Sequence, residues 1–117
     1  MHLLTTNEMK SIEHSEHGKG VADLNKTEFV KVIRMNLVNN VLLSSKIEHS
    51  PYKVSMIADM IGVSYDTLNR RLNGGGKFHL FEVVGLIMVL KMTPQEIYEI
   101  FFAPYLRVLE ERGIYAA

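Results

Sequence analysis

Apolar residues recur at helical spacing along most of the chain after residue 25, and this pattern predicts an all-α fold. The first apolar stretch begins near Lys26, where Asn25 or Thr27 can cap a helix, and it continues to about Lys46. Asparagines interrupt its apolar pattern at Asn36, Asn39 and Asn40. The stretch therefore predicts either one long helix or two shorter ones.

The C-terminal part of the chain predicts three further helices. In the first, residues 78–91, apolar side chains occupy almost every face, so we expect other elements or a second subunit to cover it. The tetrapeptide Thr93–Glu96 predicts a helix start, with threonine as N-cap, proline at the first helical position and glutamate completing a capping box. We expect Ala103–Pro104 to end that helix. Apolar residues from Tyr105 to Leu109 predict a last amphipathic helix, which ends at Gly113.

The segment between these stretches predicts two helices that cross at a tight turn. Ala58 has the small side chain that such a crossing needs where two helix backbones approach. Gly62 can adopt a left-handed conformation just past the end of the first helix without a Cβ penalty. Ser64 is expected to cap the second helix, whose Leu68 and Leu72 are spaced to pack on the first.

The opposite face of the second predicted helix is polar, and it includes side chains that can reach base edges and phosphates in a DNA major groove. Periodicity and composition alone support an ordinary solvated helix face equally well. The glycines at 74–76 also allow two interpretations, a close approach to a phosphate or a helix end and turn. The polar face comprises Tyr65, Asp66, Asn69, Arg70 and Asn73, with Thr67 and Arg71 at its edges.

The run from Ala58 to Gly74, A-x-x-x-G-V-S-x-x-T-L-x-R-R-L-N-G, resembles the Cro/repressor-type helix-turn-helix family, the lambda-repressor-like or XRE class. It is similar to small bacteriophage regulators of that family. The resemblance covers roughly residues 37–102 and includes the stretches 77–82 and 97–102.

Two positions differ from the family pattern. Val54 stands where many members have a glutamine that clamps a phosphate, so Lys53 or Ser55 would have to supply that contact. The pair Arg71–Leu72 has its apolar residue one position later than in many members.

The resemblance implies a sequence-specific transcriptional regulator of phage or prophage origin that binds operator half-sites in double-stranded DNA as a homodimer. It implies a lambda-repressor-like helix-turn-helix domain, which we place at residues 26–102. Residues 1–25 have little apolar periodicity and predict a flexible arm, and the extra C-terminal helix at 103–117 is a candidate dimerisation element. Candidate base contacts are Tyr65, Asp66, Thr67, Asn69 and Arg70, although balancing the helix dipole is the favoured role for Asp66. Candidate phosphate contacts are Lys53, Ser55, Ser64, Arg71, Asn73 and Lys77.

Composition fits a cytoplasmic globular protein. The 117 residues suffice for one domain, and 47% of them are hydrophobic. The absence of cysteine excludes disulfides and thiolate zinc sites within these residues, and we expect neither a secretory signal nor a membrane-spanning stretch. We expect the bacterial cytoplasm or nucleoid, and no cofactor. His14 and His17 could face the same way on a helix, but a flexible polar tail is favoured over a metal site there.

Charge leaves a second function open. Lys and Arg number 13, as do Asp and Glu, and a nucleic-acid binder usually has a basic excess. The segment from Lys53 to Lys77 is nevertheless locally basic. The alternative is a protein-binding adaptor, an antitoxin-like protein or a host-factor inhibitor, that keeps the motif as scaffold and contacts its partner through the terminal helices. An enzyme is not expected, because no nucleophile is paired with a base and no carboxylates cluster.

Overall fold

The computed structural model describes residues 26–115, and all the secondary structure in that range is helical. The all-α prediction is therefore confirmed for this part of the chain, whereas the predicted arm and its histidines lie outside the described residues. The helices are α1 (26–33), α2 (Asn40–Glu48), α3 (Val54–Ile61), α4 (Tyr65–Leu72), α5 (Leu80–Val89), α6 (Pro94–Ile97), a π-helical segment (Tyr98–Phe102) and α7 (Ala103–Glu111).

The chain divides into two compact units. The central unit is Met35–Tyr105, and the described part of the other unit combines residues 26–34 with 106–115. In this second unit Val32 and Leu109 are buried, and the Arg112 guanidinium pairs with the Glu28 carboxylate. In this division α1 groups with the C-terminal segment, while the domain bounds expected from the sequence stay a prediction.

The first apolar stretch forms two helices. Asn39 caps α2, and its side-chain oxygen accepts a hydrogen bond from the Leu42 amide at 3.1 Å. An asparagine side chain offers the backbone this local partner in place of a continued helix, so the interrupting asparagines favour a break.

The core of the central unit is built from one face of each helix α2 to α5 together with the π-helical segment. Its most deeply buried side chains are Leu43, Ile57, Ala58, Leu68 and Leu86. Helices α3 and α5 approach closely at Gly85, where an added Cβ would lie 2.7 Å from Ile61 Cγ2. Glycine at position 85 therefore sets how closely these two helices pack.

The capping box that begins α6 is formed as predicted. The Glu96 amide donates to Thr93 Oγ1 at 3.2 Å, and the Thr93 amide donates to Glu96 Oε1 at 2.8 Å. Lys46 Nζ lies 2.7 Å from Glu96 Oε2 and links α2 to α6. The hydrogen bond from Lys46, followed by that from the Thr93 backbone, lowers the pKa of Glu96.

The helix end expected at Ala103–Pro104 is not found, because α7 continues directly from the π-helical segment. Proline lacks an N–H and its ring clashes with the carbonyl four residues earlier, here that of Ile100. A π-helical turn widens the backbone just before Pro104. The Ile100 carbonyl instead accepts the Asn39 amide at 2.8 Å, so its hydrogen bonding is satisfied outside the helix.

Candidate functional site

A left-handed glycine forms the turn between α3 and α4. Gly62 has φ 81°, its amide donates to the Asp59 carbonyl at 3.2 Å, and the Val63 amide donates to the Ala58 carbonyl at 3.0 Å. These two bonds form a Schellman motif, which satisfies carbonyls at the end of α3. Ala58 is buried, so both the glycine turn and the small helix residue are as predicted.

Ser64 caps α4, as predicted. Its Oγ accepts the Thr67 amide at 3.1 Å and donates to Thr67 Oγ1 at 2.9 Å. The only hydroxyl hydrogen of Ser64 is thus engaged within the helix. A phosphate contact from Ser64 would require that bond to break, whereas Thr67 keeps its own hydroxyl hydrogen.

Helix α4 separates a buried face from an exposed polar face. Leu68 and Leu72 are buried against the core of the central unit. Thr67 is partly exposed, and Asn73 donates from Nδ2 to the Asn69 carbonyl at 2.8 Å. The exposed residues are Tyr65, Asp66, Asn69, Arg70 and Asn73, the set that the sequence pattern placed on the polar face.

Arg71 does not lie on this surface. The residue is only 7% exposed, and its Nε lies 2.8 Å from Oε1 of Glu82, which is 1% exposed. The same Glu82 oxygen accepts the His79 amide at 2.7 Å. This placement corrects the assignment of Arg71 to phosphate, because its guanidinium is turned inward and is neutralised by a carboxylate of α5.

One sequence signal could have identified this pair. Glu82 is the only charged residue between Phe78 and Leu90, in a stretch that is otherwise largely apolar. A carboxylate buried there needs a cation and hydrogen bonds, since an unpaired buried charge is strongly unfavourable. Arg71, next to Leu72 and three residues from Leu68, is on the side of α4 that faces the interior.

The glycine loop 74–76 ends α4. Gly74 has φ 87°, its amide donates to the Arg71 carbonyl at 3.0 Å, and the Gly75 amide donates to the Arg70 carbonyl at 2.8 Å. Two of the three glycine amides are therefore engaged with the helix. This arrangement supports the helix-end interpretation over a phosphate-binding loop.

Asn36, to which the sequence pattern assigned no role at the site, contacts this loop. Its Nδ2 donates to the Arg71 carbonyl at 3.0 Å and to the Gly76 carbonyl at 2.7 Å. Asn40 Nδ2 lies 3.4 Å from Asn36 Oδ1 and orients the Asn36 amide. No local pattern could have indicated these contacts, because Asn36 is 40 residues from Gly76.

The exposed charge around α4 is nearly balanced. Lys53, Arg70 and Lys77 are exposed, as are Asp59 and Asp66. Because Arg71 is paired with Glu82 and buried, this part of the surface carries three exposed cations and two exposed carboxylates. Ser55 is also exposed at the start of α3.

Helix α5 carries an exposed apolar face, formed by Leu80, Phe81, Val84 and Met88. Leu80 is 77% exposed and Met88 is 72% exposed. The His79 ring stacks on the Phe81 ring at a centroid distance of 6.0 Å. The expectation that this helix needs an additional cover is consistent with these exposures.

Within residues 26–115, no helix combines the length and the apolar character required to cross a bilayer. No three His, Asp or Glu side chains in the same range are grouped so that they could hold a metal ion. Comparison of the chain with protein-family models, curated protein sequences and solved structures found no match.

Proposed function

We propose that the chain is a sequence-specific regulator of the lambda-repressor-like class that binds double-stranded DNA, with α3 and α4 as its helix-turn-helix. The observation that supports this most is the exposed polar face of α4, which lies opposite Leu68 and Leu72 and follows the Gly62 turn. An eight-residue helix of this kind fits the major groove, which is wide enough to admit an α-helix.

The exposed residues of α4 have chemistry suited to base recognition. Arg70 would bind guanine O6 and N7 through its two-pronged guanidinium, and Asn69 would bind adenine N6 and N7 through its amide. Tyr65 and Thr67 lie in the N-terminal turn, which meets the bases first in this docking geometry. Asp66 in the same turn favourably offsets the positive end of the helix dipole.

The proposed phosphate contacts are the exposed residues at the margins of the motif, Lys53, Ser55, Asn73 and Lys77. Ser64 acts as the helix cap. Arg71 acts as an internal anchor between α4 and α5 and is no longer part of the contact set.

The proposal includes a homodimer. One copy of the chain offers few phosphate contacts and little net charge. We therefore expect specific binding to require two copies on two half-sites about 34 Å apart. The apolar face of α5 is the surface we assign to the second copy. An uncharged apolar stripe is self-complementary, and two copies can therefore meet across a two-fold axis without burying charge. As a phage or prophage regulator, such a dimer would work in the bacterial cytoplasm.

Selection of bound duplexes from a random oligonucleotide pool tests this function directly. We expect an enriched, approximately palindromic site, with an affinity that falls steeply as the salt concentration rises. A pool that shows no enrichment and no salt-dependent binding would reject the proposal.

A protein-binding adaptor is the second candidate. The nearly balanced charge around α4 and the exposed apolar face of α5 favour it. An adaptor should not be retained on heparin, and its binding to random duplexes should not depend on salt. The salt titration therefore separates the two functions in a single experiment.

A further inference from the structure

The glycine loop and Asn36 form a contact that the proposed docking of α4 does not itself require. One amide nitrogen, Asn36 Nδ2, donates to the carbonyls of both Arg71 and Gly76, at 3.0 and 2.7 Å. An amide NH2 group has two hydrogens, so it can make both bonds at once. The last turn of α4 and the end of the loop are thereby joined to one side chain.

These bonds are not needed to satisfy backbone groups. The Arg71 carbonyl already accepts a hydrogen bond from the Gly74 amide. Gly76 is exposed, so water could donate a hydrogen bond to its carbonyl. Replacing water by Asn36 instead restricts where the loop can lie. The effect of Asn36 is therefore geometric.

The restricted loop lies against the side chain of Arg70. A Cβ added at Gly75 would be 2.7 Å from Arg70 Cγ and 3.2 Å from the Arg70 carbonyl oxygen. A Cβ added at Gly76 would lie 3.1 Å from a guanidinium nitrogen of Arg71 and 3.8 Å from Arg70 Nε. The bare backbone of Gly75 thus packs along the aliphatic part of Arg70, and a side chain at position 75 would displace that part of Arg70.

We propose that Asn36 is a positioning residue for Arg70: it holds the glycine loop against the arginine and so sets the direction of the guanidinium before DNA is bound. The inference rests on the proposed base-reading role of Arg70. Two-pronged binding of guanine requires an aligned guanidinium, and an arginine that must be ordered on binding discriminates less well. Asn36 would then influence sequence discrimination without touching a base.

Asn36→Ala is the direct test, with Tyr105→Phe as its matched control. The Tyr105 hydroxyl donates to the Met35 carbonyl at 2.6 Å and accepts the Leu37 amide at 3.2 Å, so its removal loosens the same segment without touching the loop. The quantity to measure is the ratio of affinities for the selected duplex and for one altered at the base pair that Arg70 reads. We expect Asn36→Ala to lower this ratio about tenfold, within the range of one arginine–guanine contact. Tyr105→Phe should leave it within about twofold, and neither change should alter random-duplex binding by more than about twofold.

A double-mutant cycle separates positioning from general destabilisation. In the double variant of Asn36→Ala and Arg70→Ala, the discrimination lost should be no greater than with Arg70→Ala alone. Losses that add, or an Asn36→Ala protein that discriminates like wild type, would overturn the inference.

A measurement without DNA distinguishes failure of this inference from failure of the proposed function. The 15N relaxation of the Arg70 Nε–H group should show an ordered side chain in wild type and in Tyr105→Phe, and a mobile one in Asn36→Ala. Order that is lost as expected, in a protein that binds no DNA, would reject the function and keep the positioning role. Order that is unchanged in Asn36→Ala would reject the positioning role whatever the DNA result.

Discussion

Arg71 Nε lies 2.8 Å from Glu82 Oε1, and this ion pair joins α4 to α5 where both side chains are almost fully shielded from water. The polar face of α4 is presented outward because the other side of the helix is held by this pair together with Leu68 and Leu72. The proposed function depends on that division of the helix.

Removal of one partner of the pair should destabilise the protein strongly. Glu82→Ala would leave the Arg71 guanidinium buried without a counter-charge, and we expect a loss of about 3–5 kcal/mol in the free energy of unfolding. Urea denaturation measures it. The double variant of Arg71→Leu and Glu82→Leu is the control and should recover most of the loss, because a well-packed apolar pair can replace a buried ion pair. A change below about 1 kcal/mol for Glu82→Ala would show that the pair is hydrated in solution.

Gly62→Ala should lower stability through the backbone. At φ 81° an L-residue brings its Cβ close to the following carbonyl, at a cost of about 1–2 kcal/mol. No other atom lies within 4 Å of the added Cβ, so the effect would be conformational and not steric. Gly62→Asn is the matched variant, and it should be less destabilised because asparagine tolerates this region. Equal urea midpoints for alanine and wild type would contradict the assigned turn.

The two exposed cations Arg70 and Lys77 should differ in what they contribute to DNA binding. Arg70→Ala is expected to relax specificity by about 1–3 kcal/mol at one base pair, whereas Lys77→Ala should weaken binding to all sequences alike. Binding titrations with the selected and a scrambled duplex at two salt concentrations test both. If both variants lose affinity equally on both duplexes, Arg70 does not read a base.

The apolar face of α5 should control the oligomeric state. Met88→Lys places a charge in the proposed contact, so we expect a shift from dimer to monomer in sedimentation equilibrium and weaker binding to paired half-sites. Val41→Lys is the control, since Val41 on α2 is also highly exposed, at 80%, and lies outside this face. If the wild-type protein sediments as a monomer, or if Met88→Lys remains a dimer, the apolar face of α5 is not the dimer contact.

Acidification should reveal the contact between Lys46 and Glu96. The pKa of Glu96 is lowered in the folded protein, so the charged carboxylate contributes stability at pH values above 4.5, the ordinary pKa of glutamate. That contribution is lost as the pH falls through the lowered pKa. Thermal unfolding of Glu96→Gln should therefore depend less on pH in this acidic range than that of wild type. The difference should be small, since the pair is partly exposed. Parallel pH profiles for the two proteins would contradict it.

Residue type and spacing along the chain account for the local features of this protein. The Gly62 turn, the Ser64 cap and the Thr93 capping box all follow from interactions between residues at most a few positions apart. Such interactions depend on residue type and spacing alone, which is why periodicity and capping patterns predict them. The all-α class follows from the same local preferences, while the DNA-binding role stays a prediction.

Tertiary structure alone decided which polar residues are available to a partner. Arg71 and Arg70 are neighbours in the sequence, yet one is buried against Glu82 and the other is exposed beside the glycine loop. The ion pair between α4 and α5 accounts for this difference, because a buried charge is strongly unfavourable unless a counter-charge is in place. In the same way, Asn36 contacts the loop only in the folded chain. The π-helical segment and α7 continue through Pro104 because the Ile100 carbonyl accepts the Asn39 amide. Each of these depends on a partner distant in the sequence, and a local pattern can at most indicate, as the isolated Glu82 does, that such a partner is needed.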